Sequence, residues 1–202
     1  MITTPTATSR LSITYSTMKT ESSSNKEVII QTLSAAGRTG MDRVLAELEQ
    51  KGFYDAPGSI KYHSNYKGGL AEHSLNVYRY AMDLKRTHPK IYGSVSDESI
   101  AVTALLHDIC KADVYFIKSD GRPGKSMRSF PIGHGEKSVI MLLRLGLDLS
   151  EDEMLAIRWH MGEHTFKENS VDAENFYAAL KSPGKDLIRL IQKADGMAAK
   201  SK

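Results

Sequence analysis

Residues 100–108, IAVTALLHD, constrain this chain more than any other stretch. Their apolar side chains leave no polar stripe, so a helix built from them must be enclosed on nearly every side and lie at the centre of a helical domain. The run then ends in His107 and Asp108. Burying a lone carboxylate costs several kcal/mol, so Asp108 must be paired or coordinate a cation, and the adjacent imidazole makes the cation reading natural.

Apolar residues recur at helical spacing along most of the chain, and period-two alternation is nearly absent, which predicts a mostly α domain. Helices are expected over about 26–36, 41–51, 69–86, 97–111, 135–145, 151–161, 173–181 and 185–199. Ser96 precedes Asp97 and Glu98 in one first turn, and Ser150 with Glu153 forms an S-x-x-E capping box ahead of Met154, Leu155 and Ile157. Pro183 and Gly184 punctuate the last two helices. Residues 113–130 read differently: Val114, Tyr115, Phe116 and Ile117 lead into Ser119, Asp120, Gly121, Arg122, Pro123 and Gly124, a hairpin or lid-like loop.

With 202 residues and 41% hydrophobic content, the chain has material for one substantial core. Residues 26–202 are expected to form a single domain. Residues 1–25, rich in Ser and Thr and poor in large aliphatics, read as a poorly ordered tail, with Met18 as an alternative start. Net charge is +3 and no long basic run gathers it into a stripe, so a phosphorylated small molecule or nucleotide is favoured over nucleic acid. The lone Cys110 lies in an apolar run and excludes an intrachain disulfide, which fits a reducing, cytoplasmic setting. No segment is apolar enough over 18 residues to predict a membrane span.

Seven histidines are present, and those at 73, 107, 134, 160 and 164 fall at or inside predicted helices beside apolar neighbours. His73 shares a face with Val77 and Leu84, Asp195 shares one with Ile188 and Ile191, and His160 follows Ala156 and Ile157. His134 lies between Gly133 and Gly135 at a helix start. A single core histidine is more often a hydrogen-bonded structural residue, and Asp195 alone fits a helix surface. Imidazoles and carboxylates converging from several helices, however, are how a bundle builds a metal site.

The ordered set GGLAEHSLNV, ALLHDICKAD, GHGEKSV, IRWHMG and KADGMA resembles the HD-domain superfamily of metal-dependent phosphohydrolases. Its GGLAEH opening and its His-Asp-x-x-Lys step are similar to the HD domains of bacterial 3′-to-5′ exoribonucleases. The resemblance implies an all-α HD-domain bundle in which His73, His107, Asp108 and Asp195 hold a first metal ion. In the dinuclear branch it implies a second ion held by His134 and His160, with Asp108 bridging. Ring nitrogens suit Mn, Fe, Co, Ni or Zn better than Mg alone. His164, four residues after His160 on the same helical face, is placed outside the direct ligands, His63 at the site mouth or the surface, and His88, beside Pro89 in a polar linker, in solvent.

The expected chemistry is cleavage of a phosphoester, in a nucleotide monoester or a phosphodiester, by metal-activated water, with Asp108 and Lys111 as catalytic residues. Lys111 would set positive charge near the phosphoryl oxygens; as a plain helix-end cation it would contribute only a few tenths of a kcal/mol. Lys137 and Arg158 are second-tier candidates for phosphate contact, each read first as an ordinary solvated helix residue. Arg122, Lys125 and Arg128 decorate the hairpin, which would then close over the substrate. Two other readings stand beside this one. Helical relatives with the same six ligands use two irons and oxygen to oxidise a small polyol or phosphonate, and a metal-bound domain can also bind a nucleotide without turning it over.

Overall fold

The computed structural model describes residues 24–126 and 130–200. The expected tail thus lies almost wholly outside the described residues, as does Arg128. Among the described residues the chain forms α1 (Asn25–Ala35), α2 (Met41–Gln50), α3 (Gly69–Thr87), α4 (Pro89–Tyr92) and α5 (Asp97–Leu106). A 3₁₀ turn (Ile109–Asp113) and a short antiparallel hairpin, β1 (Tyr115–Ile117) and β2 (Pro123–Lys125), follow. The remaining elements are α6 (His134–Arg144), α7 (Glu151–Arg158), a 3₁₀ turn (Gly162–Thr165), α8 (Val171–Ala179) and α9 (Lys185–Ala198). This is the all-α bundle with a hairpin after His-Asp that the pattern predicts. None of the described helices is long and apolar enough to cross a membrane.

Helix α5 is central, as its composition requires: every residue from Ile100 to Leu106 is buried. Around it α3 lies along α9, α7 packs on α9, and α6 packs on α7. One apolar cluster includes Leu70, Leu105 and Ile157, and a second includes Val77, Ile100, Ile188 and Ile191. The residues sharing faces with His73 and Asp195 are therefore core residues.

Serines start the helices where the sequence places them. Ser96 accepts from the Ser99 N–H at the head of α5, and Ser150 and Glu153 complete the capping box of α7. Glu153 also does more than cap. Fully buried, it receives the Arg38 guanidinium in a two-pronged contact of 2.6 and 3.2 Å and the Ser99 hydroxyl at 2.7 Å. That network fastens the α1–α2 connection to α5 and α7.

The predicted helices 97–111 and 151–161 both run too far. The first ends at Leu106, and Asp108 adopts φ −111°, ψ 17° before the 3₁₀ turn begins. The second ends at Arg158, with Trp159 at φ −107°, ψ 17°. Both angles fall in the sparsely populated bridge region common at functional sites. His160 therefore lies beyond α7, and His164 sits exposed on the following 3₁₀ turn instead of sharing a helical face with it. Residues 89–92, read as part of a polar linker, make the short α4; its leading residue, His88, is exposed and paired with the Thr87 hydroxyl.

Candidate metal centre

The six residues His73, His107, Asp108, His134, His160 and Asp195 come together in space. His73 is delivered by α3, whose start depends on two glycines. Gly68 takes a left-handed φ of 82°, and a Cβ on Gly69 would collide with the Ser64 carbonyl. Asp195 reaches across from α9, its Oδ1 3.0 Å from His73 Nε2 and 3.8 Å from His107 Nε2. Asp108 Oδ2 lies 3.2 Å from His107 Nε2 and 4.0 Å from His73 Nε2.

The other oxygen of the same carboxylate faces a different pair. Asp108 Oδ1 is 3.7 Å from His160 Nε2 and 3.9 Å from His134 Nε2, and those two nitrogens are 3.1 Å apart. Gly135 makes this meeting feasible, because a Cβ there would stand 2.5 Å from the Arg158 carbonyl oxygen at the end of α7. His134 is the most open of the four rings, its side chain 35% exposed towards solvent.

Two rings are oriented by the same device. His107 Nδ1 donates to the Ala104 carbonyl at 2.9 Å, and His160 Nδ1 donates to the Ile157 carbonyl at 2.7 Å. Each acceptor lies three residues back, where the final carbonyls of a helix lack intrahelical partners. A carbonyl only accepts, so each ring carries its proton on Nδ1 and leaves Nε2 as a lone-pair donor.

Electrostatics agree with this division for His160 and pull the other way for His107. Burial alone would raise the Asp108 carboxyl, but Lys111, with Nζ 2.6 Å from Oδ2, and then His107 outweigh it and hold Asp108 well below the usual carboxylate range. Burial likewise opposes the charge on Lys111, and Asp108 overrides it to raise the ammonium's pKa. Burial, with help from His107, pushes His160 down to about 3, and burial lowers His134. His107 moves up instead, because Asp108 overcomes its burial. For Asp195, burial is outweighed by the hydrogen bond from His73 and the charge on His107, which bring it to about 2.

The donors fit a metal ion. Both Asp108 oxygens and His107 Nε2 are buried without a hydrogen bond of good geometry, despite the closeness of Lys111 to Oδ2. Such orphaned groups are costly and rare in a native interior. Ligand atoms bound to one ion at about 2.0–2.2 Å stand roughly 3–3.5 Å apart, near the spacings found here. Two triads, His73–His107–Asp108 and Asp108–His134–His160, satisfy the spacing, with Asp108 common to both.

The centre opens into a cleft of about 1110 Å³ whose walls include Lys111, Lys125, Arg189, Lys200, Tyr62 and His63. Two basic residues differ from expectation. Lys137 is only 5% exposed and donates to Asp113 at 2.7 Å, while Arg158 bonds Glu136 at 2.6 Å and stacks on Trp159, its side chain mostly covered. Neither is a solvated helix residue; helix packing against the hairpin base and α8 encloses them. On the hairpin, Lys125 and Tyr115 line the cleft, whereas Arg122 is tied back to Asp120. His63, half-buried, lines the cleft too, which decides between site mouth and surface in favour of the mouth.

Comparison with known proteins gives two findings. The family model described as HD domain matches residues 70–200. The dihydroneopterin 2′,3′-cyclic phosphate phosphodiesterase of Methanocaldococcus jannaschii is 32% identical over 121 residues, which cover 59% of this chain and 47% of that relative. The chain thus spans about half the length of the curated relative it matches. No solved structure matches it.

Proposed function

The chain belongs to the HD domain family, and from that premise we propose that it is a metal-dependent phosphohydrolase acting on phosphodiesters, with residues 26–202 as one metal-binding domain. The observation that carries this is Asp108: a single buried carboxylate turns one oxygen to each of two separate groups of imidazoles, and Oδ1 has no hydrogen-bond partner. A carboxylate shared between two cations would account for the placement of both oxygens. On this reading His73, His107, Asp108 and Asp195 hold one ion, and Asp108, His134 and His160 hold the other. Their ring-nitrogen content favours Mn, Fe, Co, Ni or Zn. Bound there, the ions would supply activated water and neutralise phosphoryl charge.

The residues of the chain do the rest. Hydrolysis joins water's oxygen to phosphorus, breaks one ester P–O bond and returns a proton to the departing oxygen. Lys111 holds a fixed positive charge beside Asp108 where phosphoryl oxygens would enter, and Lys125, Arg189 and Lys200 bias the cleft towards anions. A diester is preferred to a monoester because the similar archaeal protein is named for cleaving a cyclic phosphodiester.

The test starts with elemental analysis of protein purified without added metal. It continues with 2′,3′-cyclic nucleotides, bis(p-nitrophenyl) phosphate and p-nitrophenyl phosphate, each under air and under nitrogen. Metal-dependent diester cleavage independent of oxygen is expected, with Asp108→Ala losing both metal and turnover. A metallated, active Asp108→Ala enzyme, or turnover that consumes oxygen, would overturn the proposal.

A further inference from the structure

The loop of residues 58–64 covers one side of the metal-facing cluster. We infer that this loop is a substrate-binding element, in which His63 hydrogen-bonds a phosphoryl oxygen and the adjacent Tyr62 packs on the organic part of the ligand. The inference rests on the phosphohydrolase reading and deepens it by naming what grips the substrate.

The loop is built to hold His63 in place. The Gly58 N–H donates to the Ser64 carbonyl at 2.7 Å, and the Ser59 hydroxyl donates to the His63 carbonyl at 2.7 Å while accepting from the Tyr62 N–H at 3.0 Å. Ser64 takes a φ of 56°, unusual for a residue with a Cβ, and its carbonyl fits against α3 only because Gly69 lacks one. The strain and the glycine together press the loop onto the first turn of the helix that carries His73.

The consequence is that the His63 ring lies over the His73 ring, centroids 4.9 Å apart and planes tilted by 42°. Among the described residues no hydrogen bond is made by the His63 side chain, and its Nδ1 is buried without a partner. An imidazole held this firmly with its polar atoms unused is uncommon in a native fold. The ring lines the same cleft as Lys111 and Asp108, so the nitrogen left to that cleft, Nε2, is the one an entering ligand meets. A phosphoryl oxygen drawn in by Lys111 is the acceptor that chemistry supplies.

Tyr62 gives the second half. It is 79% exposed, the most exposed large apolar side chain among the described residues, yet it lines the cleft beside His63. A ring that adds nothing to the core but stands at a cleft mouth is suited to stacking on a planar group. The cleft, at about 1110 Å³, is far larger than a bare phosphate needs and has room for a nucleoside-sized organic part.

The experiment uses the full chain loaded with Mn²⁺ and measures inorganic phosphate binding by calorimetry, together with metal content and melting temperature. His63→Ala should weaken phosphate binding about tenfold or more, the loss of one hydrogen bond to a charged group, with metal content unchanged; His63→Gln should recover part of it. Tyr62→Ala should leave phosphate binding intact and weaken competition by 2′,3′-cyclic AMP several-fold, with Tyr62→Trp restoring it. Unchanged phosphate affinity in a folded His63→Ala protein, or in His63→Phe where the alanine variant does not fold, would overturn the inference, and so would metal loss in any of these variants, which would make the ring a ligand instead. Wild-type protein that binds phosphate but cleaves no ester would count against the hydrolase reading and leave this result standing.

Discussion

Gly135→Ala tests the two-ion arrangement through a single added methyl. The new Cβ would lie 2.5 Å from the Arg158 carbonyl oxygen, against the 3.4 Å at which ordinary contact begins, a shortfall of about 0.9 Å. No rotamer change relieves it, because both atoms are fixed to helix ends. Overpacking of this kind costs about 1–3 kcal/mol, and replacing glycine in a helix returns about 0.5–1 kcal/mol. A net loss of about 1–2 kcal/mol is expected, which for a chain of this size lowers the melting temperature by about 2–8 °C. The larger effect is on the site. Relief of the clash must separate the start of α6 from the end of α7, and with them His134 and His160, now 3.1 Å apart at Nε2. His73, His107 and Asp195 reside on other elements and should keep their ion. Metal content should therefore fall from about two ions per chain to about one, and hydrolysis with it. A Gly135→Ala protein that melts normally and retains both ions would refute the reasoning, because the close approach would then have nothing to do with the second position.

Three further outcomes follow from the same structure. Glu153→Ala strands the Arg38 guanidinium and should cost about 3–5 kcal/mol in urea unfolding, with metal content untouched; a loss below about 1 kcal/mol would show that the network is idle. Lys111→Met should reduce turnover by about 10²-fold at unchanged metal content, whereas unaltered turnover would leave Lys111 only as a structural counter-charge to Asp108. Metal-free protein should lose stability as pH falls from about 6.5 towards 3. His160 is held neutral down to about 3, so the unfolded chain, whose histidines titrate near 6.5, binds the extra proton in that window. The slope attributable to His160 is about 1.4 kcal/mol per pH unit, and pH-titrated unfolding of His160→Gln should lack it; an identical profile for the variant would contradict the assignment.

The sequence made the centre of the fold legible for a physical reason. A run without a polar face can only be enclosed, and Ile100 to Leu106 are enclosed. The gathering of His73 and Asp195 was legible in the same way, from the core residues that share their helical faces. Less of the local backbone was readable. Nothing between Thr103 and Lys111 marks a helix end, since residues 107–111 carry neither glycine nor proline, and a 3₁₀ turn keeps nearly the same apolar spacing as an α-helix. The burial of Lys137 was hidden for another reason. Its partner Asp113 lies 24 residues away, and Arg38 meets Glu153 across 115 residues. Local periodicity carries no information about pairs at such separations, so a cation on an amphipathic helix reads as solvated whether or not the fold supplies a counter-charge.

What the pattern concealed is also what builds the site. Had α5 continued through Asp108, the Ala104 carbonyl would have accepted from the backbone N–H four residues on, and it would not have been left to His107 as its main partner. The same holds for α7, Ile157 and His160. Each helix gives way within two residues to one with φ near −110° and ψ of 17°, and each freed carbonyl accepts a hydrogen bond from Nδ1 and turns Nε2 inward. The C-terminal ends of both helices also bring the negative pole of their dipoles to the place where the imidazoles converge. Two helix terminations thus favour a cation twice over, once by fixing the tautomer of a proposed ligand and once by field. The break after Leu106 and the break after Arg158 are better understood as parts of the proposed metal centre than as imperfections in the bundle, and substitutions that lengthen either helix should disturb ion binding before they disturb the core.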